Sequence, residues 1–115
     1  MGFNKRGFQR ASCDMESSFT NIDAANRPSL NETTIENISE SGIRFRSSQF
    51  IPLHHRLSFK LNLPKRKTVE ATVQPAWIKE IPSTHQYDIG GRFIMLSEED
   101  RTVIRRYVTN PNASL

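Results

Sequence analysis

The stretch RLSFKLNL, residues 56–63, alternates apolar and polar side chains without a break: Leu57, Phe59, Leu61 and Leu63 against Ser58, Lys60 and Asn62. A period of two puts one set on each face of an extended strand, and it excludes an amphipathic helix, whose apolar residues recur at three and four. Such a strand is apolar on one face only and needs paired neighbours and a shared core. The period returns along the chain. TVEATV (68–73) sends Val69, Ala71 and Val73 inward, and YDIGGRFIM (87–95) sets Ile89, Gly91, Phe93 and Met95 on one side. TTIENI (33–38) and GIRFR (42–46) make two more short strands joined through SESG, and SCDMESSFT (12–20) is a thinner first one. PKRK (64–67) supplies a charged hairpin turn.

Six short antiparallel strands without helical crossovers predict a closed barrel, because closure removes exposed strand edges. One helix follows in LSEEDRTVIRRYVTNP (96–111). Ser97 is its N-cap, Asp100 stands three positions on in a capping-box-like pair, and Glu98 and Glu99 sit at the positive end of the dipole. Val103, Ile104, Tyr107 and Val108 form one apolar stripe to lie against the barrel, and Asn110-Pro111 stops the helix. The fold class is therefore mainly all-β, a six-stranded antiparallel barrel with one C-terminal α-helix. At 115 residues the chain is one domain's worth. NIDAANRPSLN (21–31) reads as a flexible loop.

The net charge is +4, and of sixteen basic residues eleven are Arg and five Lys. Guanidinium presents a planar fork that pairs with phosphate or a base edge and stacks on rings, which ammonium does not, so an anion is the expected partner. Cys13 is the single cysteine, which excludes an intramolecular disulfide and fits a reducing, cytoplasmic setting. The apolar runs are only a few residues long and the N-terminus carries no charged-then-apolar leader, so no membrane insertion is expected. His54 and His55 are adjacent at the start of a strand, are expected to point to opposite faces, and have no Cys or carboxylate at ligand spacing, so no metal is expected there.

Two motifs remain. NKRGFQRAS (4–12) places Arg6 and Arg10 four positions apart with Lys5 beside them, and Gly2 and Gly7 make it a poor helix. It reads as a mobile basic arm over residues 1–12, preceding a barrel domain over 13–115. NISESG (37–42) reads first as a turn in which Asn37 and Ser39 bond backbone and Gly42 takes a positive φ. It also offers donors and acceptors in fixed geometry at a barrel rim, suited to a purine edge. Either motif alone is weak. Together, RxxxR followed by [DN]xSxxG resembles the PilZ domain family, the bacterial receptors for cyclic di-GMP. GIRFR, VQPAWI and IGGRFIMLSEED look like that family's later strands and helix start, so the likeness spans roughly residues 3–108.

The resemblance implies Arg6 and Arg10 on the phosphates and guanines, Asn37 and Ser39 on a guanine edge, and Gly42 for backbone approach. Lys5 extends the arm. Trp77 reads as a core tryptophan, with a stacking face beside the ligand as the alternative that some family members offer. Arg92 alternates outward, to reach a phosphate or to be solvated. Asn37 stands where Asp is more usual in the family. No nucleophile-base pair or carboxylate couple occurs, so no enzyme and no cofactor are expected. The expected function is a cyclic di-GMP receptor that changes conformation on binding and signals to an unidentified downstream protein controlling motility, exopolysaccharide or a similar output. The alternatives are a ligand-free scaffold for pilus or motor assembly and a small basic barrel binding single-stranded nucleic acid. No nucleic-acid polymer is expected, because Phe45, Phe59 and Phe93 fall on inward phases and leave no exposed aromatic stripe.

Overall fold

Strands form where the alternation places them: β1 (Arg10–Asn21), β2 (Leu30–Ser39), β3 (Gly42–Ser47), β4 (Leu57–Asn62), β5 (Thr68–Ile81) and β6 (Gln86–Leu96), followed by helix α1 (Glu98–Thr109). The structure is a computed structural model and describes residues 10–25 and 29–110. Every pairing is antiparallel, in the order β1-β2-β3-β6-β5-β4, and β4 pairs back onto β1 to close the barrel. The interior is filled by side chains. Phe19, Phe45 and Phe59 meet at its centre with ring centroids 4.9–5.5 Å apart, and Phe45 and Phe59 are 0% exposed. Ile35, Ile38, Leu57, Leu61, Val69, Val73 and Ile89 surround them, all fully buried.

Four register shifts interrupt the ladders: one lies in β1 between Ser12 and Met15, and the other three are bulges that break the simple alternation. The β2–β3 register shifts between Ile35 and Asn37, so that Ile35 and Ile38 both face inward at a spacing of three. The β5–β6 register shifts between Thr72 and Val73, where β6 advances from Phe93 to Met95. That extra residue reverses the phase: Met95, expected inward with Ile89, Gly91 and Phe93, is 69% exposed, and the partly buried Leu96 packs against the core instead. The third bulge, between Pro75 and Trp77, sits at the site described below.

The N-terminal boundary also moves. Arg10, Ala11 and Ser12, assigned by sequence to the arm, are strand: they pair with Ser39, Ile38 and Asn37, and Ala11 is 8% exposed. Lys5, Arg6 and the rest of the arm lie outside the described residues. The loop after β1 is anchored near its start. Arg56 donates to the Asp23 carboxylate through its backbone N–H (2.8 Å), Nε (3.0 Å) and Nη2 (2.8 Å), and these bonds hold the Asp23 carboxyl well below the usual carboxylate range. His54 and His55 do not point apart. They lie between β3 and β4, outside any strand, so strand alternation does not govern them, and their rings pack edge to face at 4.7 Å.

Helix α1 is capped as its sequence demands: Ser97 Oγ accepts from Asp100 N at 3.0 Å. The Asp100 carboxylate does not return the bond to the cap. It turns to the barrel, accepting from Glu70 N (3.3 Å) and pairing with Lys67 Nζ (2.9 Å), because the basic turn brings a cation there. Val103, Ile104, Tyr107 and Val108 are buried against the strands. The helix is too short to cross a membrane.

Cys13 lies under this helix, its Sγ donating to Ile35 O at 3.2 Å. Burial pushes its thiol up to about 11, and Tyr107 beside it is raised as well, chiefly by burial. The folded chain therefore keeps the Cys13 proton where an unfolded chain, with a thiol near about 8.5, loses it. Stability present below that value is expected to drain away as pH rises toward about 11. Cys13→Ser, which retains a donor and does not ionise in this range, is expected to flatten the decline in urea-denaturation curves taken at successive pH values.

Candidate ligand site

The turn from β2 to β3 carries the NISESG motif. Ser39 Oγ accepts from Ser41 N at 3.1 Å and shares a hydrogen bond with Ser41 Oγ at 2.8 Å, a local arrangement that serine favours at strand ends. Phe93 N donates to Ser41 O at 2.9 Å, which ties the turn to β6. Helix α1 holds the other side: Arg101 Nη1 donates to Glu40 O at 2.9 Å, and Arg105 donates to the Glu40 carboxylate through Nε (3.1 Å) and Nη2 (3.0 Å). Gly42 does not adopt the positive φ expected of it. Its need is steric, since a Cβ there would lie 2.0 Å from the carbonyl oxygen of Gly91 on β6.

Arg105 is exposed at this clamp, where solvent screening leaves an ion pair little effect on stability. Glu40→Ala is therefore expected to leave the unfolding midpoint nearly unchanged while speeding amide exchange at Ser41 and Gly42, read by hydrogen-exchange mass spectrometry.

Beside the turn, strand pairing lays a row of residues across the barrel. Ser12 of β1 faces Asn37 of β2, Asn37 faces Arg44 of β3, Arg44 faces Gly90 of β6, and Gly90 faces Trp77 of β5. A second row sets Arg10 opposite Ser39, and a third sets Gly42 opposite Arg92 and Arg92 opposite Gln74. Arg10, Asn37, Ser39, Gly42, Trp77 and Arg92, six of the eight residues singled out from sequence, line one depression that is open to solvent.

Trp77 is not in the core. It is 42% exposed, and its indole lies over Gly90, where a Cβ would come within 2.1 Å of Nε1. Val69, Ala71 and Val73 point inward, and an unbroken alternation carries Trp77 with them. The bulge after Pro75 inserts one residue and turns the ring outward. Gly90 provides the flat seat.

Among the described residues, no acidic side chain lines the depression. Arg44 on its wall is paired with Asp88, Nε to the carboxylate oxygens at 3.0 and 3.1 Å and Nη2 at 2.9 Å. Among the described residues, Arg10 and Arg92 make no salt bridge, and Arg92 Nη2 reaches Gln74 Oε1 at 3.4 Å. Two cations without carboxylate partners, hydroxyl and amide groups, and an indole face make a surface for an anion that carries an aromatic ring. Among the described residues no group of three or more His, Cys, Asp and Glu is placed to hold a metal ion.

The sequence profile of the PilZ domain matches residues 4–110. The chain belongs to the PilZ domain family. Its fold agrees with two solved structures. One, the inhibitor of motility MotI/DgrA of Bacillus subtilis, superimposes with a TM-score of 0.79 at 14% identity over 95% of this chain, which spans about half (52%) of that protein. The other, the PilZ domain of YcgR from Escherichia coli with c-di-GMP, gives a TM-score of 0.68 at 14% identity, covering 92% of this chain and 90% of that one. No curated protein matches the sequence. Sequence reasoning missed Ser41, Arg44, Gly90 and Gly91 on the wall of this PilZ depression. The paired glycines in mid-strand were the available signal, since glycine inside a strand marks a close approach. Phe45 and Phe59 point inward as expected, and Phe93 is half-buried against the core, so none of the three offers an open stacking face.

Proposed function

We propose that this PilZ domain is a cyclic di-GMP receptor with no catalysis of its own. The reading is carried by one observation, the meeting of Arg10, Asn37, Ser39, Gly42, Trp77 and Arg92 around a depression that no carboxylate of the described residues lines. Cyclic di-GMP presents two phosphodiester charges and two guanine rings in a compact macrocycle. Arg10 and Arg92 answer the charge, Trp77 offers a stacking face, and Asn37 and Ser39 hydrogen-bond a guanine edge. Lys5 and Arg6, on the arm leading to Arg10, close over the dinucleotide from the open side. Arg10 itself works from a strand, with its position fixed by pairing to Ser39.

In this account the arm changes the surface that another protein meets, so the signal passes to a downstream partner governing motility, exopolysaccharide or a similar output in the bacterial cytoplasm. The E. coli PilZ domain with c-di-GMP and the B. subtilis motility inhibitor lend weight to that direction. Neither a cofactor, a metal nor a nucleic-acid polymer has a part in it. Isothermal titration of cyclic di-GMP into the wild-type protein tests the reading: saturable heat is expected, together with new amide protection over residues 1–12. The absence of any binding heat would end it.

A further inference from the structure

We infer that Arg44 is a base-reading residue of this site that favours guanine over adenine, and that Asp88 aims it. The inference rests on the cyclic dinucleotide reading above. Arg44 stands in the middle of the row that crosses the depression, with Asn37 on one side and Gly90, under the Trp77 indole, on the other. Its Nε and Nη2 edge is committed to Asp88 at 2.9–3.1 Å, with Glu36 a further 3.7 Å from Nη2. Asp88 is itself buried on β6, so its carboxylate requires a partner there and holds the guanidinium in one orientation.

Nη1 carries the two remaining hydrogens and has no hydrogen-bond partner among the described residues, although the side chain is 44% exposed and borders the depression. With Asp88 and Glu36 beside it, Arg44 adds little net charge. Its contribution is direction: N–H donors fixed on a wall next to an aromatic face. Guanine offers O6 and N7 as adjacent acceptors along one edge, whereas adenine presents an amino donor where O6 would be, and that donor opposes the arginine N–H. Arg10 and Arg92 attract any cyclic dinucleotide, so discrimination between bases falls to a donor whose own charge is already offset.

Titration calorimetry with cyclic di-GMP and, by competition, cyclic di-AMP tests this on the wild type, on Arg44→Met and on Arg44→Met/Asp88→Asn, the double variant sparing the fold an unpaired carboxylate. Loss of a paired base contact is expected to weaken cyclic di-GMP binding about 5- to 150-fold in both variants and to leave cyclic di-AMP essentially unchanged, so that selectivity collapses. Equal weakening of both ligands, or an unchanged cyclic di-GMP affinity in a folded double variant, overturns the role of Arg44 and leaves the site reading standing. A wild type that binds neither ligand overturns the site reading, and this inference with it.

Discussion

Phe59→Ala is expected to cost about 3–5 kcal/mol of folding stability, the range for removing a buried aromatic ring. Phe59 has no exposed surface and touches Phe19 and Phe45 at 5.0 and 4.9 Å, the one place where β1, β3 and β4 meet through aromatic contacts. A closed barrel cannot slide one strand inward without disturbing two ladders, so the cavity is poorly relieved and the cost falls toward the upper end. Since domains of this size are stable by only about 5–15 kcal/mol, the variant keeps a small margin or none. Urea denaturation followed by circular dichroism measures it, with Phe59→Leu as the milder partner. A loss below about 1 kcal/mol would contradict a close-packed centre at this position.

The second large effect concerns binding. Arg10→Ala is expected to weaken cyclic di-GMP about 10- to 150-fold, the worth of one charge-assisted contact of about 1.5–3 kcal/mol. Arg10 is exposed and forms no salt bridge among the described residues, so its removal is expected to change stability by no more than about 0.5 kcal/mol. Weakening without unfolding therefore reports the contact itself. Arg10→Lys should fall between wild type and alanine, because it retains charge and loses the bidentate fork. An Arg10→Ala protein that binds as tightly as wild type would remove the RxxxR residue on β1 from the site.

Much of the barrel was legible because each strand buries one face, and RLSFKLNL states that burial in its own alternation. Helix α1 was legible for a related reason: Ser97 and the stripe through Val103, Ile104, Tyr107 and Val108 are local signals that the fold leaves intact. The bulges were not. Where an extra residue enters β2, β5 or β6 depends on how neighbouring strands curve and pair, and each insertion reverses the inward phase beyond it. Met95 and Trp77 were misplaced for that reason, and so the indole that lines the depression was read as core. Arg10, Asn37, Ser39 and Gly42 were legible through the chemistry of their motifs. Arg44, Gly90 and Gly91 were hidden because their importance comes from neighbouring strands: Asn37 and Trp77 lie across the row from the first two, and the carbonyl of the third is what Gly42 packs against.

Trp77 is also the chain's one tryptophan. A ring on a bare glycine seat, open to water and bordering Arg44, gives the protein a built-in fluorophore at a single known place. Its emission colour and quenching by iodide report on the floor of the depression and on no other part of the molecule. Events there can thus be followed optically, without a label.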